Sequence, residues 1–382
     1  MLDLSSAFDL VDHGLLIQKL DIMGFKPDAV GWIRSYLDNR SQCVYIDGQL
    51  SDMLLVPTGV PQGSVLGALL YILFTNELPG ILHSCETSSQ HEGQCNAGCG
   101  TISSYVDDST LTVWGENAQE LSTRLSNKFQ LISSYFKEHK LILNESKTQL
   151  LVLKSNKLKV DSSDIKVKTD TVTISSSENS KLLGLNIHET LKWKQHLVNG
   201  PQSLLSSLAR RLSAIKNTTK NTSFKTRLKV ANACFMSVLS YMIVIWGGSE
   251  KYLLRSIQVV QNKAARHITK LSWFTPTRQL LRQCNWLSVR QLFVMHTVMQ
   301  TWKAKFYGKP YYINSRLTLT NTRSRVEGTL MIPSYDSSLM KKSFFVQAPI
   351  YWNMLPSETR NIDKEGPFKK KLRQWIIANI EI

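Results

Sequence analysis

The chain has 382 residues, 42% of them apolar and 20% charged, which is material for two or three domains with real cores and excludes a disordered polyelectrolyte. A formal net charge of +17 and a pI near 9.6 favour a polyanionic partner. The charge is divided: residues 1–155 hold 10 Lys and Arg against 17 Asp and Glu, whereas residues 156–382 hold 36 against 12. The acidic part suits carboxylates that hold cations, and the basic part suits a phosphate backbone. Met1 leads into Leu2-Asp3-Leu4 with no basic and apolar leader, and six cysteines are scattered without a framework. Both features point to an intracellular, reducing setting, in the cytoplasm or the nucleus, and not to secretion.

Leu2, Leu4, Ala7 and Phe8 read as the tail of a buried strand. His13 to Met23 reads as a short helix, and a second starts at Pro27-Asp28 with Val30, Ile33, Tyr36 and Leu37 on one face. Cys43 to Ile46, the Asp47-Gly48 turn and Met53 to Val56 read as a hairpin. Ser64 to Thr75 is an apolar helix, and Ile102 to Val113 forms two strands around Asp107-Asp108. Asn117 to Lys140 is the clearest amphipathic helix: an Asn cap, Glu three residues on, and Leu121, Leu125, Phe129, Ile132 and Phe136 along one face. Leu150 to Leu153 reads as a returning strand, and residues 155–180 as a hairpin or linker. From about residue 196 the pattern is helical and basic, with Arg210, Arg211, Lys216, Lys220, Lys225, Arg227 and Lys229 close together. Val230 to Ser249 has no charged residue, enough length to span a bilayer. Its polar Asn232, Ser237 and Ser240 and the two glycines favour a buried helix.

Three separated pieces carry chemistry: Leu2-Asp3-Leu4-Ser5-Ser6-Ala7-Phe8-Asp9, Pro57-Thr58-Gly59-Val60-Pro61-Gln62-Gly63-Ser64, and Ser104-Tyr105-Val106-Asp107-Asp108-Ser109. Adjacent aspartates at a hairpin turn can share a cleft with a carboxylate on a neighbouring strand. Such hard oxygen donors suit Mg²⁺. A pair of such ions roughly 3.5–4 Å apart stabilises both the attacking and leaving oxygens of a phosphoryl displacement. Asp9 and Asp12 read instead as capping the helix at His13.

In this order the pieces resemble the palm motifs of reverse transcriptases. The resemblance implies Asp3, Asp107 and Asp108 as ligands of two Mg²⁺ ions, with Mn²⁺ as a substitute. It implies Phe8 as a steric gate against the 2′-hydroxyl, and Gln62 and Gly63 as contacts to dNTP and template. Asn144-Glu145-Ser146-Lys147-Thr148 resembles the motif whose lysine, here Lys147, protonates the leaving pyrophosphate. Leu182 to Leu185, then Leu191-Lys192-Trp193 and His196, resemble the primer grip; His188 stands where the family usually has an acid. Ser240-Tyr241 through Trp246-Gly247, Gln261 through Arg266, and Pro349 through Pro356 resemble LINE-type (non-LTR) retrotransposons of the jockey-like group.

The implied fold class is α+β: a right-hand polymerase palm of antiparallel sheet and packed helices, a helical thumb, and a mostly helical basic C-terminal region. The implied division is palm at 1–155, motif E and connector at 156–200, thumb at 201–275 and a LINE-type region at 276–382. The implied partners are an RNA template, a DNA primer or target and dNTPs, without a membrane. The fingers that precede the first motif in the family are not in this sequence, so the expected polymerase activity is weak or nil. The alternative is an inert remnant that only binds nucleic acid. Two weaker patterns stay open. His83, Cys85, His91, Cys95 and Cys99 supply either zinc ligands or a plain loop insertion. Lys369-Lys370-Lys371-Leu372-Arg373 is a nuclear address, a nucleic-acid contact or a basic surface run.

Overall fold

The computed structural model describes residues 1–84, 100–154, 164–169, 172–320 and 328–382, and the chain divides into two compact units, Met1–Thr190 and Leu191–Ile382. The candidate zinc ligands at 83, 85, 91, 95 and 99 lie outside the residues whose side chains are described.

Unit 1 opens with β1 (Leu4–Ser5), α1 (His13–Ile22) and α2 (Pro27–Leu37). The Asp12 carboxylate caps α1 by accepting the Leu15 N–H at 2.9 Å, and it also meets the Lys140 ammonium at 2.5 Å. Pro27 sits in the first turn of α2, where its missing N–H costs nothing. Four short strands follow as nested hairpin pairs: β2 (Ser41–Gln42) with β5 (Leu54–Leu55), and β3 (Tyr45–Ile46) with β4 (Gln49–Leu50). Asp47 and Gly48 both have positive φ, the geometry of the tight hairpin turn that this dipeptide favours. The expected apolar arms are there but largely exposed, from Val44 and Tyr45 to Leu54 and Leu55.

Next come α3 (Val65–Phe74), α4 (Leu78–Ser84), β6 (Thr101–Tyr105), β7 (Asp108–Thr112), α5 (Ala118–Glu138) and β8 (Ile142–Leu143). Ser64 and Asn117 cap α3 and α5 through side-chain oxygens. On α5, Leu125, Phe129, Ile132 and Phe136 are buried as the spacing predicts, while Leu121 is half-buried. They join Leu16, Leu20, Leu70 and Phe74 in the core, each burial stabilising by about 1.5–3 kcal/mol. Lys19 is buried here too, its ammonium 2.6 Å from Glu77 and over the rings of Phe74 and Tyr135.

The last strands of unit 1 are β9 (Lys166–Lys168) with β10 (Thr173–Ser175), and β11 (Asn179–Leu182) with β12 (Leu185–His188). The expected strand at Leu150–Leu153 does not form. Leu150 makes a single parallel bridge to Ser176, and no ladder continues beyond it. A β-branched, apolar run becomes a strand only where a partner backbone runs alongside.

Unit 2 is helical: α6 (Lys194–Leu197), α7 (Leu204–Thr218), α8 (Phe224–Ala231), a π-helical turn at Asn232–Met236, α9 (Ser237–Ser240), α10 (Ile243–Trp246), α11 (Lys251–Thr269), α12 (Thr277–Gln283), α13 (Val289–Tyr307), α14 (Tyr311–Asn314), α15 (Ser338–Lys341), α16 (Phe344–Asn353), α17 (Ser357–Arg360) and α18 (Glu365–Asn379). The charge-free stretch 230–249 is therefore not one buried helix. It passes through a π turn and breaks at Met242, which takes a left-handed φ of 48°. Phe235, Leu239, Ile243 and Trp246 are the large side chains that reach the core fully, while Tyr241 and Ile245 stay exposed. Among the described residues, the stretch with the length and hydropathy of a membrane span is instead Val65–Leu82. A turn at Thr75–Glu77 interrupts it, and Leu70, Tyr71, Phe74 and Leu78 anchor it in the unit 1 core.

The two glycines of that charge-free stretch are packing residues. A Cβ on Gly247 would lie 2.5 Å from the Ile243 carbonyl oxygen and 2.5 Å from the Phe293 ring. Gly247→Ala must push α10 away from α13, and it is expected to destabilise unit 2 by about 1–3 kcal/mol. Urea unfolding of the variant beside the wild type measures this; an unchanged midpoint would show that the contact yields freely.

Candidate active site

The site is built on one strip of backbone. β1 pairs antiparallel with β8, Leu4 opposite Leu143 and Ser5 opposite Ile142. β6 pairs with β7 across the Val106-Asp107 turn. A bridge between Leu2 and Ser109, with the Leu2 N–H donating to the Ser109 carbonyl at 2.8 Å, stitches the two ladders together. The strand order becomes β8, β1, β7, β6. Continuing the register of that bridge sets Asp3 opposite Asp108. Leu2 and Ser109 are buried, so the alternation of a strand turns Asp3 and Asp108 to the other face.

Asp107 sits in the tight turn. Val106 before it has φ of 60°, a region that a β-branched residue enters at a cost of about 1–2 kcal/mol. The Asp3 peptide is clamped from its other side: its N–H donates to the Thr148 hydroxyl at 3.3 Å, and its carbonyl accepts the Asn144 N–H at 2.8 Å. The expected trio of carboxylates thus comes together around one junction.

Their mutual repulsion is visible in Asp108. Its carboxyl is held above the usual carboxylate range by partial burial, then by Asp107, then by Asp3. None of these influences is a cation. Hard carboxylate oxygens in an uncompensated acidic field fit a divalent cation. Among the described residues, however, no three His, Cys, Asp or Glu side chains close into a ligand shell. The aspartates share a field and not a chelate.

The second motif docks on the first through the backbone. The Val60 N–H donates to the Phe8 carbonyl and the Gly59 N–H to the Val11 carbonyl, both at 2.8 Å. The Thr58 hydroxyl donates to the Asp9 carbonyl at 3.0 Å, and a His13 ring nitrogen meets the Gly59 carbonyl at 2.7 Å. Gly59 has φ of 92°, and a Cβ there would lie 2.8 Å from the Asp9 Cα, so no other residue fits. Phe8 stacks on Tyr71 of α3, ring centroids 5.1 Å apart. The Tyr71 hydroxyl is pushed up by burial and further by Asp107, so Tyr71 touches Phe8 on one side and feels the acidic turn on the other.

Gln62 and Gly63 are exposed on the turn before α3, and no hydrogen bond ties Gln62 to the aspartates. Gly63 needs its positive φ of 79° and not the space around it. Lys147 is exposed; its N–H closes the Asn144 turn, and its ammonium makes no ion pair among the described residues. Its neighbour Thr148 is the residue that holds Asp3. Tyr71, Gly59, His13 and Thr148 were not singled out from the sequence. Tyr71 could have been: with Gly67 and Phe74 it falls at helical spacing on the buried face of α3.

An acidic antiparallel strip with its carboxylates at a hairpin, abutted by a glycine-rich turn and an apolar helix, defines the palm of a template-directed nucleotide polymerase. Residues 1–187 match the family described as reverse transcriptase (RNA-dependent DNA polymerase), and this part of the chain belongs to that family. Its fold is accordingly of the polymerase palm type.

Curated relatives carry the likeness further along the chain. The "Probable RNA-directed DNA polymerase from transposon BS" of Drosophila melanogaster is 27% identical over 298 residues, 78% of this chain and 31% of that protein. The RNA-directed DNA polymerase from mobile element jockey is 25% identical in Drosophila melanogaster, over 74% of this chain and 29% of its own length. Its counterpart in Drosophila funebris is 25% identical over 73% and 29%. The chain therefore resembles polymerases of non-LTR transposons, and it spans about a third of their length.

The raised Asp108 has a consequence for stability. A carboxyl whose folded pKa lies above its unfolded one favours the folded state only while protonated in both. That contribution is lost as pH rises through the folded value. Asp108→Asn, measured in EDTA, is expected to raise the thermal midpoint by about 1–3 °C at roughly pH 7 and to leave it unchanged at roughly pH 3. A lower midpoint at the higher pH would show that the three carboxylates do not repel.

Proposed function

We propose that this chain is the polymerase portion of a non-LTR retrotransposon reverse transcriptase, which adds dNTPs to a primer 3′-hydroxyl as directed by an RNA template. The observation that carries the reading is the register across the Leu2–Ser109 bridge, which brings Asp3 to the Asp107-Asp108 hairpin. In the reaction the primer 3′-oxygen forms a bond to the α-phosphorus, the bond to pyrophosphate breaks, and the hydroxyl proton leaves. Asp3, Asp107 and Asp108 would hold two Mg²⁺ ions, or Mn²⁺ in their place. Such ions supply charge stabilisation at the attacking and leaving oxygens.

The other residues bind, exclude and move protons. Phe8, whose ring stacks on Tyr71 at 30°, would act as the steric gate that the family resemblance implies, clashing with a 2′-hydroxyl and so selecting deoxynucleotides. Gln62 offers an amide to the incoming base or template, and Gly63 lets backbone approach. Lys147 Nζ, exposed and unpaired among the described residues, is free to give a proton to the departing pyrophosphate. Unit 2 supplies thumb and C-terminal regions, at about 201–275 and 276–382, that hold RNA template and DNA primer. The setting is intracellular, and no membrane is involved.

The expected extension by this chain is weak, and Asp107→Ala is expected to abolish whatever Mg²⁺-dependent primer extension the wild type shows, while leaving affinity for primer–template unchanged. Calorimetric titration with Mn²⁺ should lose its tight component in the same variant. If wild type and variant show equal extension and equal Mn²⁺ binding, the chain is an inert nucleic-acid-binding remnant. Phe8→Val is expected to admit ribonucleotides, narrowing the dNTP:NTP preference in kcat/KM roughly tenfold or more. An unaltered preference would make Phe8 a packing residue alone.

A further inference from the structure

Unit 2 carries an uncompensated positive field. Leu191 to Val326 contains 23 Lys and Arg and one acid, Glu250. Glu250 is already held by Lys342 at 2.7 Å. Lys303 pairs outside the stretch, with Glu365 at 3.3 Å, but most of the other cations have no acid near them in sequence, and the surface is left attractive to polyanions.

Within this field two large aromatics stand in the open. α11 ends at Lys270, which takes a left-handed φ of 58°, and the chain turns through Leu271–Pro276 into α12. On that turn Trp273 is 66% exposed and Phe274 is 91% exposed. Leaving such side chains in water forgoes about 1.5–3 kcal/mol each. Arg266, one turn back from Lys270, lays its guanidinium over the Trp273 ring at 4.7 Å from the centroid. The Arg266 Nε is buried without a hydrogen-bond partner. The guanidinium thus serves the ring and not a carboxylate or carbonyl. It covers part of the Trp273 ring while the residue stays largely in solvent.

More cations adjoin. His267 is pushed below the usual histidine range by burial, then by Lys270, Arg227 and Lys216, which places those three about it. Arg227 is anchored by donating to the Ile268 and Thr222 carbonyls, so its charge is fixed in place. Exposed aromatic faces beside positive charge are what an unpaired base and its phosphate can use. A duplex keeps its bases stacked inside and offers nothing to such rings.

We propose that Arg266, Trp273 and Phe274 form a stacking platform for unpaired bases of a single-stranded nucleic acid, with the exposed Lys216 and Lys270 meeting its phosphates. The platform rests on the polymerase reading only in taking a nucleic acid as the partner, and its test needs no catalysis.

Fluorescence anisotropy of the full 382-residue chain, in EDTA, would compare an oligouridine with an abasic strand of equal length. The wild type is expected to bind the base-bearing strand roughly tenfold or more tightly. W273A/F274A should erase that preference and leave the slope of log K against log salt unchanged. Lys270→Ala should instead lower the slope by about one. W273Y/F274Y, which keeps the rings, should retain the preference. Ultraviolet cross-linking of the wild type to oligouridine, independent of any variant, should give adducts within residues 271–276.

Equal binding of the two strands by the wild type overturns the proposal, as do adducts confined to other segments. So does a W273A/F274A variant that keeps its preference but loses binding to phosphatidylserine-containing vesicles, since the aromatics would then serve a lipid surface. None of these outcomes touches the polymerase reading, which stands or falls on Asp107→Ala in primer extension.

Discussion

The Leu2–Ser109 bridge is the constraint on which the acidic site depends. Two ladders that are otherwise separate, β8 with β1 and β6 with β7, become one strip only through it. The forces opposing the bridge are modest: close like charges in water repel by about 1 kcal/mol per pair. A backbone hydrogen bond returns about as much, and the burial of Leu2, Ala7 and Val11 beneath the same strand returns several times more. Hydrophobic burial therefore holds the carboxylates at a junction they would leave on electrostatic grounds alone. The acidic field is thus kept in place by the apolar underside and not by attraction among the groups that make it.

Much of unit 1 was legible in the sequence because its signals are local. The Asp12 and Asn117 caps, the Asp47-Gly48 turn and the α5 stripe each depend on residues within a few positions of one another. What was lost depends on distant partners. Phe8 meets Tyr71, and Asp3 meets Thr148, across separations that no periodicity encodes. Leu150–Leu153 has strand composition but gains only one bridge. The stretch 230–249 shows the same limit in a helix. Absence of charge spoke for burial, but the π turn and the left-handed Met242 follow from how Phe235, Ile243 and Trp246 reach a common core. The aspartates themselves were legible because their adjacency at a turn is a local pattern; their convergence was legible only by resemblance.

Unit 2 ties much of its interior through neutral groups, although Thr297 Oγ1 and the Arg360 Nε and Nη1 are buried without a hydrogen-bond partner. Gln261 is fully buried and donates its amide to the Leu287 carbonyl, and Asn353 brackets Leu330 by bonding both its N–H and its C=O. Trp302 and Trp352 donate their indole N–H groups to the carbonyls of Ile362 and Gly328. The Gln261–Arg266 and Pro349–Pro356 segments that marked the family resemblance thus include framework residues of the helical core. Arg373, within the basic run 369–373, is likewise committed to Asn285, whereas Lys369, Lys370 and Lys371 remain exposed. That run is therefore partly structural, and a patch read from composition must be sorted residue by residue.

Neutral amides and indoles in the core have an electrostatic effect at the surface. Met1–Thr190 holds 15 Lys and Arg against 22 Asp and Glu, while Leu191–Ile382 holds 31 against 7. A core tied by carboxylates would have neutralised part of the second figure from within; one tied by Gln, Asn and Trp does not. An acidic cluster and a basic surface weaken each other if they share one small region. A Lys or Arg beside Asp107 would neutralise the first, and an Asp beside Lys270 would neutralise the second. Segregating the signs into separately packed units resolves the conflict, and it lets each sign be built from residues whose neighbours do not cancel it.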